Sequence, residues 1–342
     1  HSWNQWDAVD NTPGYRREAS WYRKKIHIAQ PSAHHYLLYF EGANIKTQVY
    51  VNGQLAGKHI GGYVGFDIDI NKQLVEGENT ILVRVDNGYD PQVIPSQKAD
   101  FFIYGGITRD VWLKKLPLSH ISTVRISTAD VSKKKATTQV AVQLHNNNDS
   151  KSRKLRVYLE EPETGKKLLE KEIDVRNQLA GESITIDLGS LANPHLWSTD
   201  DPYLYECVVQ YVEGNQELDE LKTPFGYRWF HFEPHGAFFL NGERLLLRGT
   251  HRHEEHSGFG AAMPNYLHRE DMVKIKEMGA NFVRLAHYPQ DPEVYKACDE
   301  LGLIVWDELP WCRGGIGDET WKANTRQLLK EQILQNYNHP SI

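Results

Sequence analysis

Three strand-like stretches near the C-terminal end of the chain each run into polar side chains, and this repeat constrains the fold more than any other feature. The stretches are LLLRGTHRHEEH at 245–256, NFVRLAHYP at 281–289 and LIVWDELPW at 303–311. Helical patterns separate them, and strands that alternate with helices predict a parallel sheet. Because a (β/α)8 barrel presents its reactive groups at the C-terminal ends of its strands, we expect these polar ends to form a site.

Helix signals follow the second and third stretches. Asp291, with Pro292 in the first turn, is typical of a helix start, and Gly302 of a helix end. Another helix is predicted from Asp318, and its apolar side is expected to comprise Trp321, Leu328, Leu329 and Ile333.

The length of this region is short for a barrel. A complete (β/α)8 barrel takes about 250 residues, whereas residues 226–342 number 117. We therefore expect the first part of a TIM (β/α)8 barrel, with its site completed elsewhere or not at all.

The rest of the chain has the pattern of short β-strands with Gly and Asn turns, such as the Asn52-Gly53 pair between alternating residues. Residues 1–117 are predicted to form a jelly-roll β-sandwich, and about a hundred residues at 118–223 an immunoglobulin-like β-sandwich. With residues 224–342 as the barrel part, the fold class is a multidomain protein, first β and then α/β.

Composition excludes several classes of function. A net charge of −6 argues against nucleic acid, and no apolar run approaches the roughly 20 residues of a membrane span. The three cysteines have no metal or disulfide spacing, and no strand is followed by a phosphate-binding glycine loop. We therefore predict no cofactor. The sequence assigns no compartment.

Several motifs resemble glycoside hydrolase family 2, which contains β-galactosidases, β-glucuronidases and β-mannosidases. The resemblance extends along the whole chain and is greatest to β-galactosidases. It is carried by GYRREASWYRK (14–24), DFFIYGGITRDVWL (100–113), PFGYRWF (224–230), FFLNGERLLLRGTHRHEEH (238–256), NFVRLAHYPQDP (281–292) and NHPSI (338–342).

The resemblance implies a retaining exo-β-glycosidase with a carbohydrate substrate. Such enzymes use two carboxyl groups, one as acid and base and the other as nucleophile. In the family both follow the NHPSI motif, so we expect neither catalytic carboxylate within these 342 residues and an inactive isolated chain. Terminal β-galactosides are the first expected substrates, with β-glucuronides and β-mannosides as alternatives. Formation of a homo-oligomer stays open.

Three residues match family positions that bind the sugar. Asp100 matches a carboxylate that reaches from the jelly roll to the sugar hydroxyls, and His253 and His287 match histidines after the first two barrel strands. A carboxylate accepts strong hydrogen bonds from hydroxyls, and a neutral imidazole can both donate and accept. The resemblance therefore implies substrate-binding roles for all three.

Four further residues are expected to support the site. Asp307 and Glu308 are predicted to brace the barrel, and Arg248 and Arg284 to pair with such carboxylates. Some family members bind magnesium through a glutamate and a histidine shortly after the Asp-Glu pair. The matching positions here are Cys312 and Gly314, so no metal is predicted.

Two other classes of function compete with this interpretation. His251 and His253 are spaced as zinc ligands of a metal-dependent barrel hydrolase, which would use a metal-bound water as nucleophile. A non-catalytic carbohydrate-binding or scaffold protein is the second alternative.

Overall fold

The computed structural model describes residues 17–95, 99, 101–145, 152–175 and 182–342. These residues form two successive β-sandwiches and then the first strands and helices of a barrel, as the sequence predicts.

The first sandwich contains a four-stranded sheet in the order β1-β7-β4-β5, a three-stranded sheet in the order β6-β2-β9, and a short β3-β8 pair. Phe40 from one sheet and Val49 and Val85 from the other share a fully buried core. Asn52 and Gly53 both have positive φ, which confirms the predicted turn. The strands are β1 Ala19–Ile28, β2 His35–Phe40, β3 Ala43–Asn44, β4 Lys46–Val51, β5 Gln54–Ile60, β6 Phe66–Asp69, β7 Gly77–Asp86, β8 Gly106–Ile107 and β9 Val111–Leu116.

The second sandwich packs a β10-β11-β14 sheet on a β13-β12-β15-β16 sheet. Alternate residues of β11 point inward, so that Val140 and Val142 meet Leu155 and Val157 in the core. The strands are β10 His120–Ala129, β11 Lys135–His145, β12 Arg153–Glu161, β13 Lys166–Val175, β14 Ser183–Ala192, β15 Tyr205–Glu213 and β16 Gln216–Phe225.

The barrel part begins with an antiparallel sheet of β17 Phe230–Phe232, β18 Phe238–Leu240 and β19 Glu243–Leu245, and continues into a parallel sheet. The parallel strands are β20 Gly249–Arg252, β21 Phe282–Leu285 and β22 Ile304–Asp307. Helices α1 Asn265–Glu277, α2 Pro292–Leu301 and α3 Glu319–Gln335 follow them in turn. None of the described helices has the length and apolar character needed to cross a membrane.

The helix ends agree with the sequence signals, but one predicted face does not. The Asp291 carboxylate accepts a hydrogen bond from the Glu293 N–H at the start of α2, and Gly302 ends the helix with positive φ. On α3, Trp321 and Leu328 are buried as predicted. Leu329 and Ile333, predicted on the same apolar side, are instead exposed, because no described element packs on them.

The barrel part is joined to the second sandwich by buried and partly buried polar contacts. The Trp197 indole N–H donates to the Asp299 carbonyl at 2.8 Å. The Asn338 side chain accepts from the Ile126 N–H at 2.9 Å and donates to the Val124 carbonyl at 2.8 Å. Asn338 of the NHPSI motif thus stabilises the junction with β10.

Candidate functional site

The C-terminal ends of β20, β21 and β22 bring three predicted site residues together. Because Arg252, Leu285 and Asp307 are in register across the parallel sheet, the residues that follow them meet at one edge. His253 and His287 lie there with ring centroids 5.3 Å apart and nearly perpendicular planes. His287 Nδ1 lies 2.8 Å from Glu308 Oε2.

The first sandwich supplies an aromatic wall to this edge. The ring of Phe101 lies 5.6 Å from the His253 ring, 6.2 Å from the His287 ring and 5.0 Å from the Tyr288 ring, centroid to centroid. The candidate site is therefore formed by two units of the fold. Asp100, the residue before Phe101, lies outside the described residues, and its role stays a prediction.

A buried ion pair holds the two units together beside the site. Arg109 of the first sandwich donates to both carboxylate oxygens of Glu254 at 2.9 and 2.8 Å. It also donates to the carbonyls of Glu41, Tyr63 and Pro289 at 3.2, 3.0 and 2.6 Å. The Arg109 and Glu254 side chains are only 1% and 3% exposed. These contacts fix the segments after β20 and β21 against the first sandwich.

The positive charge of Arg109 is stable in the fold. Burial alone would lower the pKa of Arg109, but the coulombic and hydrogen-bonding effects of Glu254 outweigh it and raise that pKa. The Arg109 guanidinium therefore stays charged, and it matches the carboxylate with two parallel hydrogen bonds.

Glu308 is held as a carboxylate by two neighbours. Arg284 Nε donates to Oε1, and His287 lies against Oε2. Burial would raise the pKa of Glu308, but the hydrogen bonds from Arg284 and His287 outweigh burial and leave that pKa below its ordinary value. The expected pairing of Arg284 with a site carboxylate is thus formed with Glu308.

Asp307 faces the helix that follows its strand. Its Oδ2 accepts hydrogen bonds from Gln332 Nε2 at 2.9 Å and Asn336 Nδ2 at 3.2 Å, and its Oδ1 accepts from the Glu308 N–H at 3.1 Å. Burial raises the pKa of Asp307, and these hydrogen bonds oppose the rise. The geometry suits a residue that fastens β22 to α3.

Arg248 is not brought to these carboxylates, contrary to expectation. It precedes β20, which starts at Gly249, so it lies at the opposite end of the strand from the site. Its side chain is exposed, and its backbone N–H donates to Asn281 Oδ1 at 2.8 Å. At the site end of β20 the buried arginine is Arg252, which donates to Asp271 at 2.9 Å.

Sequence reasoning also missed Glu255, a second carboxyl between the two units. Burial raises the pKa of Glu255, and the neighbouring Tyr104 side chain of the first sandwich opposes the rise. Its Oε2 is buried and makes no hydrogen bond within the described part of the chain. The acidic HRHEEH run was the available signal, but it does not say which carboxyl is buried.

The zinc-hydrolase alternative gains no support from the geometry. The His251 side chain is exposed, and its ring stands perpendicular to the His253 ring with centroids 6.4 Å apart. Among the described residues, two clusters bring at least three ligand atoms within 4.8 Å of one another, and neither contains His251 or His253.

Comparisons with known proteins match the whole length of the chain. The description "Glycosyl hydrolases family 2, sugar binding domain" matches residues 8–117, "Glycosyl hydrolases family 2" matches 119–228, and "Glycosyl hydrolases family 2, TIM barrel domain" matches 234–342.

Curated relatives and solved structures carry two kinds of name. A protein of Formosa agariphila named "Putative beta-glucuronidase" is 55% identical over 100% of this chain and 41% of its own length. The beta-galactosidase of Thermoanaerobacter pseudethanolicus is 34% identical over 95% of this chain and 44% of its own length. The crystal structure of Parabacteroides merdae beta-glucuronidase superposes with a TM-score of 0.91 at 35% identity, covering 100% of this chain and 44% of that one. The chain thus spans less than half the length of these relatives.

Proposed function

Because the chain belongs to glycosyl hydrolases family 2, we propose that it forms the sugar-binding part of the active site of a retaining exo-β-glycosidase. One observation carries the proposal. Phe101 of the first sandwich meets His253 and His287 at the strand ends of the barrel part, next to the carboxylate of Glu308. An aromatic surface beside groups that donate and accept hydrogen bonds suits a sugar, which has apolar C–H faces and many hydroxyls.

The two histidines are proposed to bind sugar hydroxyls. The Glu308 carboxylate favours the proton on His287 Nδ1, which leaves the lone pair on Nε2 and fixes the ring orientation. His253 Nδ1 lies 3.4 Å from the Tyr288 hydroxyl, which orients the second ring. Asp100 is proposed to bind hydroxyls from the sandwich side, since it directly precedes Phe101 in the sequence.

Neither acidic residue at the end of β22 is proposed as a catalytic carboxyl. A general acid needs a raised pKa, whereas that of Glu308 is lowered and its oxygens bind Arg284 and His287. The Asp307 oxygens are engaged by Gln332, Asn336 and the backbone of Glu308. We propose that Asp307, Glu308 and Arg284 support the site. We also propose that the chain is divided into three domains, at residues 1–117, 118–223 and 224–342.

β-Glucuronides are the first proposed substrates and β-galactosides the second. The relative at 55% identity bears the name of a β-glucuronidase, and that at 34% the name of a β-galactosidase. β-Galactosides are kept as the second proposal because Arg284, a cation near His287, is already paired with Glu308, whereas a glucuronide carries a carboxylate that would need a cation of its own.

The test uses the complete protein encoded by the source gene. Its hydrolysis of aryl β-glucuronide, β-galactoside and β-mannoside is measured, and the anomer released first is identified by proton NMR. We expect turnover of one of the first two substrates with release of the β-anomer. Release of the α-anomer would contradict a retaining mechanism, and binding of sugar without turnover of any glycoside would favour a carbohydrate-binding protein.

A further inference from the structure

Three histidines from three strands meet where the two sandwiches touch. His35 begins β2 of the first sandwich, and His120 and His145 lie opposite each other on β10 and β11 of the second. The ring centroids are 4.3 Å apart for His35 and His145, 4.7 Å for His120 and His145, and 5.2 Å for His35 and His120. One nitrogen from each ring lies within 4.8 Å of the other two.

The outer nitrogens of two rings are already held by hydrogen bonds. His120 Nδ1 lies 2.8 Å from the Pro117 carbonyl, which only accepts, so Nδ1 carries the proton and Nε2 the lone pair. His35 Nε2 lies 3.1 Å from Asp69 Oδ2, so the lone pair of His35 is on Nδ1. A histidine that binds a metal usually donates its other N–H to a carboxylate or a carbonyl in this way.

The inner nitrogen of His35 has no hydrogen-bond partner in the part of the chain that the structure describes. The His35 side chain is only 11% exposed, and its buried Nδ1 makes no hydrogen bond to any described residue. A buried lone pair without a donor is unfavourable unless something binds it. Burial and the neighbouring histidines lower the pKa of His120, and burial and His35 lower that of His145, so both rings are neutral at neutral pH. Neutral imidazole is the form that ligates metals.

We infer that His35, His120 and His145 bind a divalent transition metal ion, Zn²⁺, which links the first sandwich to the second. Imidazole nitrogen is a preferred ligand of Zn²⁺ at about 2.0–2.1 Å, usually in a tetrahedral site. A water molecule would supply the fourth ligand, since Asp69 accepts from the outer nitrogen of His35. For that geometry the nitrogens must approach to about 3.3 Å. The ring of His145, the most exposed of the three, is stacked on those of His35 and His120 with interplanar angles of 17°, so it must turn to point its lone pair at the same centre. The site is independent of the proposed glycosidase function.

The test measures Zn²⁺ binding to the complete, metal-free protein in competition with a coloured chelator. The variants are His120→Gln, His145→Gln and the control His27→Gln, an exposed histidine on β1. We expect one tightly bound Zn²⁺ per chain in wild type and in the control. In the other two variants we expect the affinity for Zn²⁺ to fall by about 100-fold. Equal affinity in all four proteins, or the absence of a tight site in wild type, would overturn the inference.

A second readout covers the case in which the buried His120 variant does not fold. Zn²⁺ is added during thermal unfolding of wild type, His27→Gln and His145→Gln. We expect it to raise the Tm of the first two proteins and to leave that of His145→Gln unchanged, because only a metal bound to the folded junction stabilises it. An equal rise in all three would show that the ion binds elsewhere and would overturn the inference.

Discussion

Two arginine–carboxylate pairs lie at the edge where the first sandwich meets the barrel part, and their surroundings differ sharply. Arg109 and Glu254 are 1% and 3% exposed, and the guanidinium makes five hydrogen bonds to the protein. Arg284 and Glu308 are 41% and 16% exposed and share their site with His287. The buried pair of Arg109 and Glu254 thus holds the two units together, whereas the partly exposed pair of Arg284 and Glu308 remains accessible to a ligand.

The largest expected effect is on stability, and it comes from removing one member of the buried pair of Arg109 and Glu254. Arg109→Met leaves the Glu254 carboxylate buried without its partner, which we expect to lower the free energy of unfolding by about 3–5 kcal/mol. Urea unfolding measures this loss in the free energy of unfolding. The double variant Arg109→Met/Glu254→Met should recover most of the loss, because no charge remains buried. A double variant as unstable as the single one would contradict this assignment.

The second effect is on activity, from the accessible cluster. In the complete protein, His287→Ala should lower kcat/KM roughly 5–150-fold, because hydrogen bonds to the sugar worth about 1–3 kcal/mol are lost. The control is His195→Ala, which removes an exposed histidine that also pairs with a carboxylate, Asp201. A kcat/KM equal to that of the control would refute a substrate-binding role for His287.

The third effect is a dependence of stability on pH at the accessible pair of Arg284 and Glu308. The pKa of Glu308 is lowered in the folded protein, so the stability that its ionised form contributes is present above the ordinary value of 4.5. It is lost as the pH falls through the lowered pKa. We expect the difference in unfolding free energy between wild type and Glu308→Gln to shrink over that acid range. A constant difference from pH 7 to pH 3 would be inconsistent with this pairing.

The smallest effect is expected at the arginine that the fold leaves outside both pairs. Arg248→Ala should change the unfolding free energy by no more than about 0.5 kcal/mol, because the side chain is exposed at the far end of β20. Its kcat/KM should equal that of wild type, whereas Arg284→Ala should lower it. A loss of activity in Arg248→Ala would mean that its side chain reaches the substrate.

The sequence predicted the features that depend on local patterns. The three parallel strands, the cap at Asp291 and the turn at Asn52-Gly53 follow from periodicity and from residues with special backbone preferences. The convergence of His253 and His287 follows as well, because parallel strands end at one edge.

The features that the sequence analysis missed or predicted wrongly depend on contacts between distant parts of the chain. Arg109 and Glu254 are separated by 145 positions, and no sequence pattern marks them as partners. The prediction for Arg248 was wrong because β20 has only four residues. In so short a strand, a small error in the predicted start moves a residue from one end of the strand to the other. The exposed Leu329 and Ile333 show that periodicity identifies an apolar face but not whether another element covers it.

The most direct measurement is a crystal structure of the complete protein with D-glucuronate or D-galactose bound. We predict that the sugar lies against Phe101, with hydroxyls within hydrogen-bonding distance of His253 and His287, while Arg109 and Glu254 keep their buried pair. A sugar bound away from this edge, with neither histidine in contact, would contradict the proposal that the first sandwich and the barrel part form the substrate site together.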